Sequence, residues 1–454
     1  MWYAVNELAS IKRRAEVDNR RIIQESIDYI EENLKTEFSV QELADKAGFS
    51  LFHFYRLFQM ATGMPVMQYI LKRKLLYALY EISEGVGMTE TALAYGFETF
   101  AGFYKACRRE IGYTPSGFLK RYKAHKPYKI NLFKEEHIML TRKKISEILE
   151  NWGLQEEEVK DIFYEETGNY SENAFYVGDN YVIKFSANLG NVMKHLELSE
   201  ALEKACFLTA GIVKTADGRT YVDSDGLYFY VTTRLEGIRL KASDMLLADG
   251  EYKAQFLGEI IGQLHLVLKD LDMVAGEVNA FWDVTNWALP RTKEVMQVPE
   301  KLCEEYLEVF GRLQDKLPRQ IIHRDPNPSN VIRKRKEESG EESWGFIDFE
   351  LSERNVRIYD PCYAATAILS EWFVAGKEKE VAKWPEVYKN IMAGYDRVVG
   401  LTEEERRAVP YVILTNQLIC VAWFADQGKY EEMYRANIKM TEWIFAHFEE
   451  LRLT

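Results

Sequence analysis

Four side chains in the second half of the sequence have the types and spacing that phosphoryl transfer requires. His323, Asp325 and Asn330 lie in the segment QIIHRDPNPSNVI, and a second acid, Asp348, ends the apolar run WGFID. Moving a phosphoryl group requires a carboxylate that accepts the alcohol proton and ligands that hold Mg²⁺ against the nucleotide phosphates. We therefore expect Asp325 to be the catalytic base and Asn330 and Asp348 to be metal ligands, since hard cations prefer oxygen.

The chain around these residues has the order of strands and loops that such a site needs. Apolar, β-type runs at residues 320–322 and 344–349 bracket the loop that carries Asp325. An Asp and an Asn beside Pro are also frequent in ordinary turns. The second acid, with Asn355 and Arg357 behind it, favours the catalytic interpretation because a motif gains weight from its strand–loop–strand context.

The catalytic segment resembles that of a known superfamily. The spacing His323-x-Asp-x₄-Asn resembles the loop shared by protein kinases and the aminoglycoside phosphotransferase and choline kinase superfamily. The turn IDFE at residues 347–350 resembles the metal-binding turn of that superfamily, and IDFELSERNVRIYD is similar to the choline and ethanolamine kinase branch. The resemblance implies an α/β (α+β), two-lobed protein-kinase-like domain that uses ATP (or GTP) and Mg²⁺. It also implies that His323 and Asp360 support the catalytic loop.

An upstream segment resembles the nucleotide-binding strands of the same superfamily. FYEETGNYSENAFYVGDNYVIKFS, residues 163–186, alternates in β fashion around Gly168 and Gly178, which predicts a hairpin. The resemblance implies that Lys184 binds the α/β-phosphates, that a helical Glu fixes this lysine, and that adenine lies against backbone between the lobes. The implied nucleotide-binding residues are Lys184, Glu200, Ser171, Asn173, Thr233 and Leu235.

The first 124 residues predict a different, all-helical module. From about Arg20 to Tyr122 the pattern predicts seven short helices, and the pair Gly48-Phe49 recurs as Gly96-Phe97 at an offset of 48 residues. Each unit reads as helix, Gly-containing turn, helix, the arrangement that places a recognition helix in the major groove. SVQELADKAGFS, RLFQMATGMP and GYTPSGFLKRY resemble the DNA-binding domain of AraC/XylS transcription regulators. The candidate DNA contacts are His53, Arg56, Thr99, Tyr104, Lys105, Arg108 and Arg109.

The recognition helices depart from that family pattern at several positions. Aromatic residues at Phe52 and Tyr55 occupy outward positions that usually carry small or polar residues, and Phe100 and Gly102 are unusual in the second helix. Outward aromatics tend to mark protein contacts. The alternative is therefore a helical module that serves dimerisation, and a homodimer stays open.

Charge divides the chain in the same place. Residues 1–130 hold 19 Lys and Arg against 15 Asp and Glu, a formal charge of +4. Because the whole chain has a net charge of −13, residues 131–454 carry −17. A basic module can face phosphates, whereas an acidic one attracts cationic small molecules. The five cysteines are scattered and odd in number, which indicates neither disulfides nor a zinc site. With no signal peptide and no apolar run that could cross a bilayer, we expect a cytoplasmic protein without a membrane partner.

The expected architecture is multidomain. We predict a double helix-turn-helix domain over residues 1–124, a linker over 125–138 and a kinase-like domain over 139–454, with lobes at about 139–236 and 237–454. The predicted function is an AraC-type regulator fused to an ATP/Mg-dependent phosphotransferase acting on an alcohol, with a cationic one favoured. The alternatives are a kinase-like domain that only senses a ligand and a kinase whose helical module serves assembly. The candidate acceptor contacts are Trp372, Trp423 and Asp426.

Overall fold

The structure is a computed structural model and is described below for most of the chain. The described residues are 19–122, 124–133, 139–163, 170–235, 237–271, 278–335, 342–377, 379–426 and 431–453. The chain forms two compact units, one of residues 1–187 and 213–234 and the other of residues 188–212 and 235–454. The first unit joins the helical module to a sheet, so this division differs from the predicted domains, whose boundaries stay a prediction.

The helical module contains seven helices in its described part, as the sequence predicts. They are α1 (19–32), α2 (Val40–Lys46), α3 (Leu51–Thr62), α4 (Val66–Ser83), α5 (Met88–Ala94), α6 (Phe100–Glu110) and α7 (Pro115–Arg121). The two helix-turn-helix units are α2–α3 and α5–α6, and α4 joins them. Their sharp turns contain Gly48 at φ +72° and Gly96 at φ +81°, a backbone region that side chains with a Cβ disfavour. The repeated glycines therefore fix the repeated turns.

Side chains at the helix starts specify where the recognition helices begin. The Ser50 hydroxyl accepts from the His53 amide at 3.4 Å at the start of α3, and the Thr99 hydroxyl accepts from the Gly102 amide at 3.1 Å at the start of α6. Such caps satisfy backbone N–H groups that the helix itself leaves unpaired. Thr99, a candidate DNA contact, thus has a structural role as the N-cap of α6.

The first unit also holds an antiparallel sheet and helix α8 (Arg142–Leu149). The sheet order is β1-β2-β3-β6-β4, with β5 also paired to β6. The strands are β1 (Val159–Phe163), β2 (Tyr170–Val177), β3 (Tyr181–Ser186), β4 (Ile212–Val213), β5 (Val222–Ser224) and β6 (Leu227–Thr233). The predicted hairpin around Gly178 is present, because residues 174–177 of β2 pair with residues 181–184 of β3. The part of the expected nucleotide loop at residues 164–169, with Gly168, lies outside the described residues.

The second unit carries two small antiparallel sheets and is otherwise helical. Strand β7 (Ile238–Arg239) pairs with β9 (Val331–Arg335), which pairs with β10 (Glu342–Phe346), and β8 (Arg319–Ile322) pairs with β11 (Glu353–Val356). The helices are α9 (Leu189–Lys204), α10 (Gly250–Leu268), α11 (Ala280–Asp283), α12 (Leu289–Val295), α13 (Glu300–Glu305), α14 (Gly311–Leu313), α15 (Tyr359–Val374), α16 (Trp384–Val399), α17 (Glu403–Asp426) and α18 (Glu431–Ala446). Both short sheets end at the loop that carries Asp325.

Close helix packing gives this unit its core. Gly258 of α10 and Gly394 of α16 face the other helix so closely that a Cβ at either would lie 1.9 Å from a backbone oxygen. The core beneath is large and aromatic, with Trp372 and Trp384 fully buried. Helix α17 alone among the described helices is long and apolar enough to cross a membrane, but 72% of its apolar window is buried inside the protein. Its composition is therefore accounted for by core packing.

Candidate active site

Asp360 holds the loop that follows β8. Its two carboxylate oxygens accept the backbone N–H groups of His323 at 2.8 Å and Arg324 at 2.9 Å. Arg324 has φ +72°, a conformation that costs free energy for a residue with a side chain and persists only where neighbours enforce it. Asp360 supplies that constraint from the first turn of α15. The structure thus places Asp360 beneath the catalytic loop, where the sequence predicts it.

A buried histidine completes the support of Asp360. His265 Nε2 lies 2.9 Å from Asp360 Oδ2, and its Nδ1 lies 2.8 Å from the Tyr395 hydroxyl. These contacts fit the tautomer in which Nε2–H donates to the carboxylate and Tyr395 donates to Nδ1. His265 is therefore a scaffold residue, and the chain of three side chains makes Asp360 rigid.

His323 joins the catalytic loop to the turn that carries Asp348. Its Nε2–H donates to the Ile347 carbonyl at 3.0 Å, and its Nδ1 accepts from the Asp325 amide at 3.3 Å. The ring is fully buried, and burial lowers the pKa of His323, so the ring is neutral near pH 7. A neutral ring can donate on one side and accept on the other. His323 therefore connects the loop that carries Asp325 with the turn that carries Asp348.

Asp325 is held by amide groups of its own loop. Asn327 Nδ2 donates to Oδ1 at 2.8 Å, and Asn330 Nδ2 donates to Oδ2 at 3.2 Å. Burial raises the pKa of the Asp325 carboxyl to about 7 and the nearby Asp348 charge acts in the same direction, while hydrogen bonds from Asn327, Tyr363 and Asn330 oppose the rise. A general base is most effective when its pKa lies near the working pH. Asp325 therefore has the position and the basicity to take a proton from an alcohol.

Asn330 and Asp348 have the donor chemistry that a divalent cation needs. Asn330 uses its amide nitrogen on Asp325, so its amide oxygen is the atom suited to a cation. Asp348 has φ +73°, outside the usual region for a residue with a side chain, and its charge acts on Asp325. Among the described residues no group of three His, Cys, Asp or Glu side chains could hold a metal. The donor set here is the Asp348 carboxylate and the Asn330 amide oxygen, which suits Mg²⁺ shared with phosphates.

Three residues around the catalytic loop did not follow from the sequence patterns. The Tyr363 hydroxyl hydrogen-bonds the Asp325 carboxylate, and burial and the nearby Asp325 charge raise the pKa of the Cys420 thiol of α17. Asp283 of α11 is half-buried, and burial raises the pKa of its carboxyl while the Arg324 charge lowers it. Only Tyr363 had a usable signal, because it lies one helical turn after Asp360 on α15.

The candidate acceptor residues lie in unlike surroundings. Trp372 is a core residue: it is 1% exposed, and its indole N–H donates to the Ala242 carbonyl at 3.1 Å. Its ring therefore presents no face to a ligand, because the side chain packs in the core beneath α15. Trp423 is 41% exposed and lies one turn after Cys420 on α17. Asp426 forms an ion pair with Arg291 at 3.0 Å.

The candidate nucleotide residues lie mainly on the sheet of the first unit. Lys184 is in β3, opposite Ala174 of β2 and Tyr230 of β6. Ser171 is buried in β2, and its hydroxyl lies 3.2 Å from the amide oxygen of Asn173. Thr233 ends β6 and Leu235 follows it. These placements agree with the strand assignments, and the binding roles stay predictions.

Helix α9 was expected to supply the acid that fixes Lys184. The Glu200 side chain is 68% exposed and pairs with Lys204 of the same helix at 3.2 Å, and Glu197 is also exposed. The polar side chains that α9 buries are instead His195 and Ser199. The helical pattern alone could not tell which side of α9 would be buried.

The candidate DNA contacts lie on the recognition helices. Arg56 on α3 and the candidate residues 104, 105, 108 and 109 on α6 are exposed. His53 is half-buried and its ring packs edge-on against Phe49 at 4.9 Å. Phe52 is 80% exposed, as its outward position predicts. The module therefore presents a basic α6 and a largely apolar α3.

Fold and site together define a kinase-like phosphotransferase preceded by a helix-turn-helix module. The chain belongs to the Phosphotransferase enzyme family, whose model matches residues 167–404, and residues 43–121 match the family described as Helix-turn-helix domain. This confirms the predicted AraC-type module, the predicted kinase-like fold and the assignment of the chain as an enzyme of the small-molecule kinase type.

Individual relatives agree with each half. The HTH-type transcriptional activator AarP of Providencia stuartii is 31% identical over 96 residues, which are 21% of this chain and 71% of that protein. The XylDLEGF operon transcriptional activator 2 of Pseudomonas putida is 31% identical over 119 residues, 25% of this chain and 76% of that protein. The microcompartment-associated aminopropanol kinase has a TM-score of 0.51 at 16% identity over 68% of this chain and 98% of that chain, a likeness that shows the fold.

Proposed function

We propose that this protein is a cytoplasmic AraC-type regulator whose second half transfers the γ-phosphoryl group of ATP to the hydroxyl of a small cationic alcohol. The observation that carries the proposal is the Asp325 carboxylate, held between Asn327, Asn330 and Tyr363 with its pKa raised to about 7. A surface turn would not need a half-buried acid on a loop supported by Asp360 and His323.

Asp325 acts as the base in this reaction. The alcohol oxygen attacks the γ-phosphorus and its proton passes to an Asp325 carboxylate oxygen. The bond from the γ-phosphorus to the β–γ bridging oxygen breaks, and ADP leaves with that electron pair. Asn327 and Asn330 each donate to one oxygen of the carboxylate and fix its orientation, and its remaining lone pairs can accept the alcohol proton.

Asn330 and Asp348 are the ligands that we assign to Mg²⁺. The ion, when bound, neutralises charge on the nucleotide phosphates. Lys184 binds the α/β-phosphates, and Ser171 and Asn173 lie on β2, after the expected nucleotide loop. The backbone at residues 233–235 binds the adenine ring. GTP in place of ATP stays open, because backbone contacts do not distinguish the two by residue type.

The acceptor lies between Asp325 and the face formed by α11 and α17. Trp423 offers an exposed ring one turn from Cys420, and Asp283 offers a half-buried carboxylate near Arg324. An aromatic face attracts an ammonium group by roughly 0.5–2 kcal/mol when desolvated. A cationic alcohol can be attracted by both groups, whereas a neutral sugar carries no charge for either of them to attract. Asp426 already pairs with Arg291, so we expect it to contribute less than Asp283 to binding of the cationic acceptor.

Turnover with a panel of alcohols tests this proposal. ADP release is measured with the full-length protein, Mg-ATP and choline-like amines, amino alcohols, aminoglycosides and neutral sugars. We expect the cationic alcohols to react and Asp283→Asn to raise their KM more than it lowers kcat. Asp223→Asn, which removes an exposed charge on β5, is the matched control. Faster reaction with neutral sugars than with every cation would contradict the acceptor assignment.

The alternative from the sequence is a ligand sensor without turnover. Ligand-dependent thermal stabilisation without ADP release from any alcohol in the panel would establish the sensor in place of the enzyme. A kinase whose helical module serves only assembly, as a homodimer, would turn over but bind no duplex.

A further inference from the structure

The outer edge of strand β1 is covered by the end of recognition helix α6. The Asp161 amide of β1 donates to the Ile111 carbonyl at 3.3 Å. Gly112 follows at φ +87°, and a Cβ there would lie 2.9 Å from the Lys160 Cα. An edge strand otherwise exposes unpaired backbone groups. Here the helical module pairs with the edge of the sheet that carries Lys184.

A buried carboxylate ties the same strand to two helices. The Asp161 side chain is 1% exposed and lies 3.4 Å from Lys72 of α4 and 3.4 Å from Arg142 of α8. Arg142 also donates to the Glu110 carbonyl at the end of α6, at 3.2 Å and 3.1 Å. A buried charge that loses its partners is strongly destabilising. Strand β1 therefore cannot move away from α4 and α6 without breaking charged contacts.

Aromatic packing holds both residues that flank segment 164–169. Phe163, the last residue of β1, packs on Phe118 at 4.6 Å and on Tyr113 at 6.1 Å between ring centroids. Tyr170, the first residue of β2, lies 6.2 Å from Phe163 and 4.9 Å from the Lys72 ammonium group. Both ends of the expected nucleotide loop are thus anchored to the helical module.

Strand β2 is connected to the centre of that module as well. Glu172, between Ser171 and Asn173, accepts a hydrogen bond from the Tyr128 hydroxyl. The Tyr128 carbonyl accepts from Arg73 of α4 at 2.6 Å, and Arg73 forms a buried ion pair with Glu31 of α1. The proposed nucleotide residues therefore stand on a strand that is bonded, through Tyr128, to α4 and α1.

We propose that nucleotide binding and DNA binding are coupled through this contact between the β1–β2 hairpin and the helical module, with Asp161 as the coupling residue. The inference rests on the proposed nucleotide site. A nucleotide that shifts strands β1 and β2 changes their contacts with α4 and the end of α6, because close-packed contacts transmit strain. Coupling is reciprocal, so DNA must change nucleotide affinity by the same factor.

Binding of one ligand in the presence of the other tests the coupling. Affinity of the full-length protein for a labelled duplex at low salt is measured with and without Mg²⁺ and a non-hydrolysable ATP analogue, and nucleotide affinity is measured with and without duplex. We expect both affinities to change by the same factor, within the roughly 5–150-fold typical of allosteric pairs. In Asp161→Asn, each ligand should change the affinity for the other by a factor near one. Asp223→Asn should behave as wild type.

The outcomes separate this inference from the proposed function. Nucleotide binding that leaves duplex affinity unchanged overturns the coupling alone, and so does full coupling in Asp161→Asn. Absence of nucleotide binding rejects the proposed site and the coupling with it. If Asp161→Asn does not fold, Lys72→Met takes its place. Hydrogen exchange of the amides of residues 106–111 gives a readout that needs no duplex: the analogue should change it in wild type and not in the variant.

Discussion

The catalytic loop and the recognition helices differ in what fixes their functional side chains. Asp325 is held by two loop amides, and the loop itself is held by Asp360 and His323 through backbone hydrogen bonds. Arg56 and Lys105 are exposed and are positioned by their helices alone. Phosphoryl transfer needs reacting atoms placed to within about an ångström, whereas phosphate contacts to DNA tolerate mobile side chains. Substitutions should therefore cost far more in the loop than in the helices.

The largest effect is expected for Asp325→Asn. The amide keeps the shape of the side chain but cannot accept the alcohol proton, so turnover should fall by roughly 10²–10⁴-fold. Nucleotide affinity should change little, because Asn330 and Asp348 hold the metal. Steady-state kinetics and a nucleotide titration on the same preparation measure both. Turnover within a few-fold of wild type would remove Asp325 as the base.

Asp348→Ala should impair nucleotide binding itself. Loss of a direct metal ligand is expected to cost at least the roughly 10–100-fold seen for residues that only support such ligands. The comparison is made by calorimetry with and without Mg²⁺. The loss should vanish when EDTA removes the metal, and an unchanged Mg²⁺-dependent affinity would count against the assignment.

The raised pKa of Asp325 predicts that the substitution that lowers activity, Asp325→Asn, raises the stability of the folded protein. The folded carboxyl ionises near pH 7 and an unfolded one near the ordinary value of 3.8, so rising pH favours the unfolded chain between about 4 and 7. In Mg²⁺-free buffer Asp325→Asn should melt higher than wild type, by a difference that grows across this window and is constant above it. Each kcal/mol corresponds to roughly 2–4 °C in Tm. An equal difference in Tm between the two proteins at pH 5 and at pH 8 would show that the pKa of the Asp325 carboxyl is not raised.

The smallest effects are expected on the recognition helices. Each phosphate contact contributes about 0.9 to the slope of log affinity against log salt. Arg56→Ala should lower the slope by about 0.9, and the pair Lys105→Ala and Arg108→Ala by about 1.8. Gln59→Ala on α3 is the neutral control. Slopes that do not change, or no duplex binding at low salt, would favour the assembly role of the module.

Local motifs and tertiary packing also differ in how well they could be predicted from the sequence. The kinase-like fold and the helix-turn-helix repeat could be predicted from motifs whose residues lie close together in the sequence. Asn330, for example, bonds Asp325 only five residues away. The burial of Trp372, the exposure of Glu200 and the position of Asp283 near Arg324 depend on which helix faces pack together. No spacing within one helix carries that information.

The covering of β1 by the helical module was equally invisible in the sequence. Asp161, Lys72 and Arg142 are far apart along the chain, and each reads alone as a solvated surface charge. The linker composition predicted a boundary, and the two halves do differ in charge and fold class. The packing of the helical module and the sheet of β1–β6 into one compact unit is a tertiary property that composition does not specify.

Product formation tests the central claim most directly. Full-length protein and Asp325→Asn are incubated with Mg-ATP and an amino alcohol selected from the panel, and phosphate ester and ADP are quantified together by mass spectrometry. Wild type should form ester and ADP in equal amounts, while Asp325→Asn binds nucleotide but forms neither above a small residual rate. ADP without ester, or ester formed by Asp325→Asn at the wild-type rate, would contradict a phosphotransferase that uses Asp325 as its base.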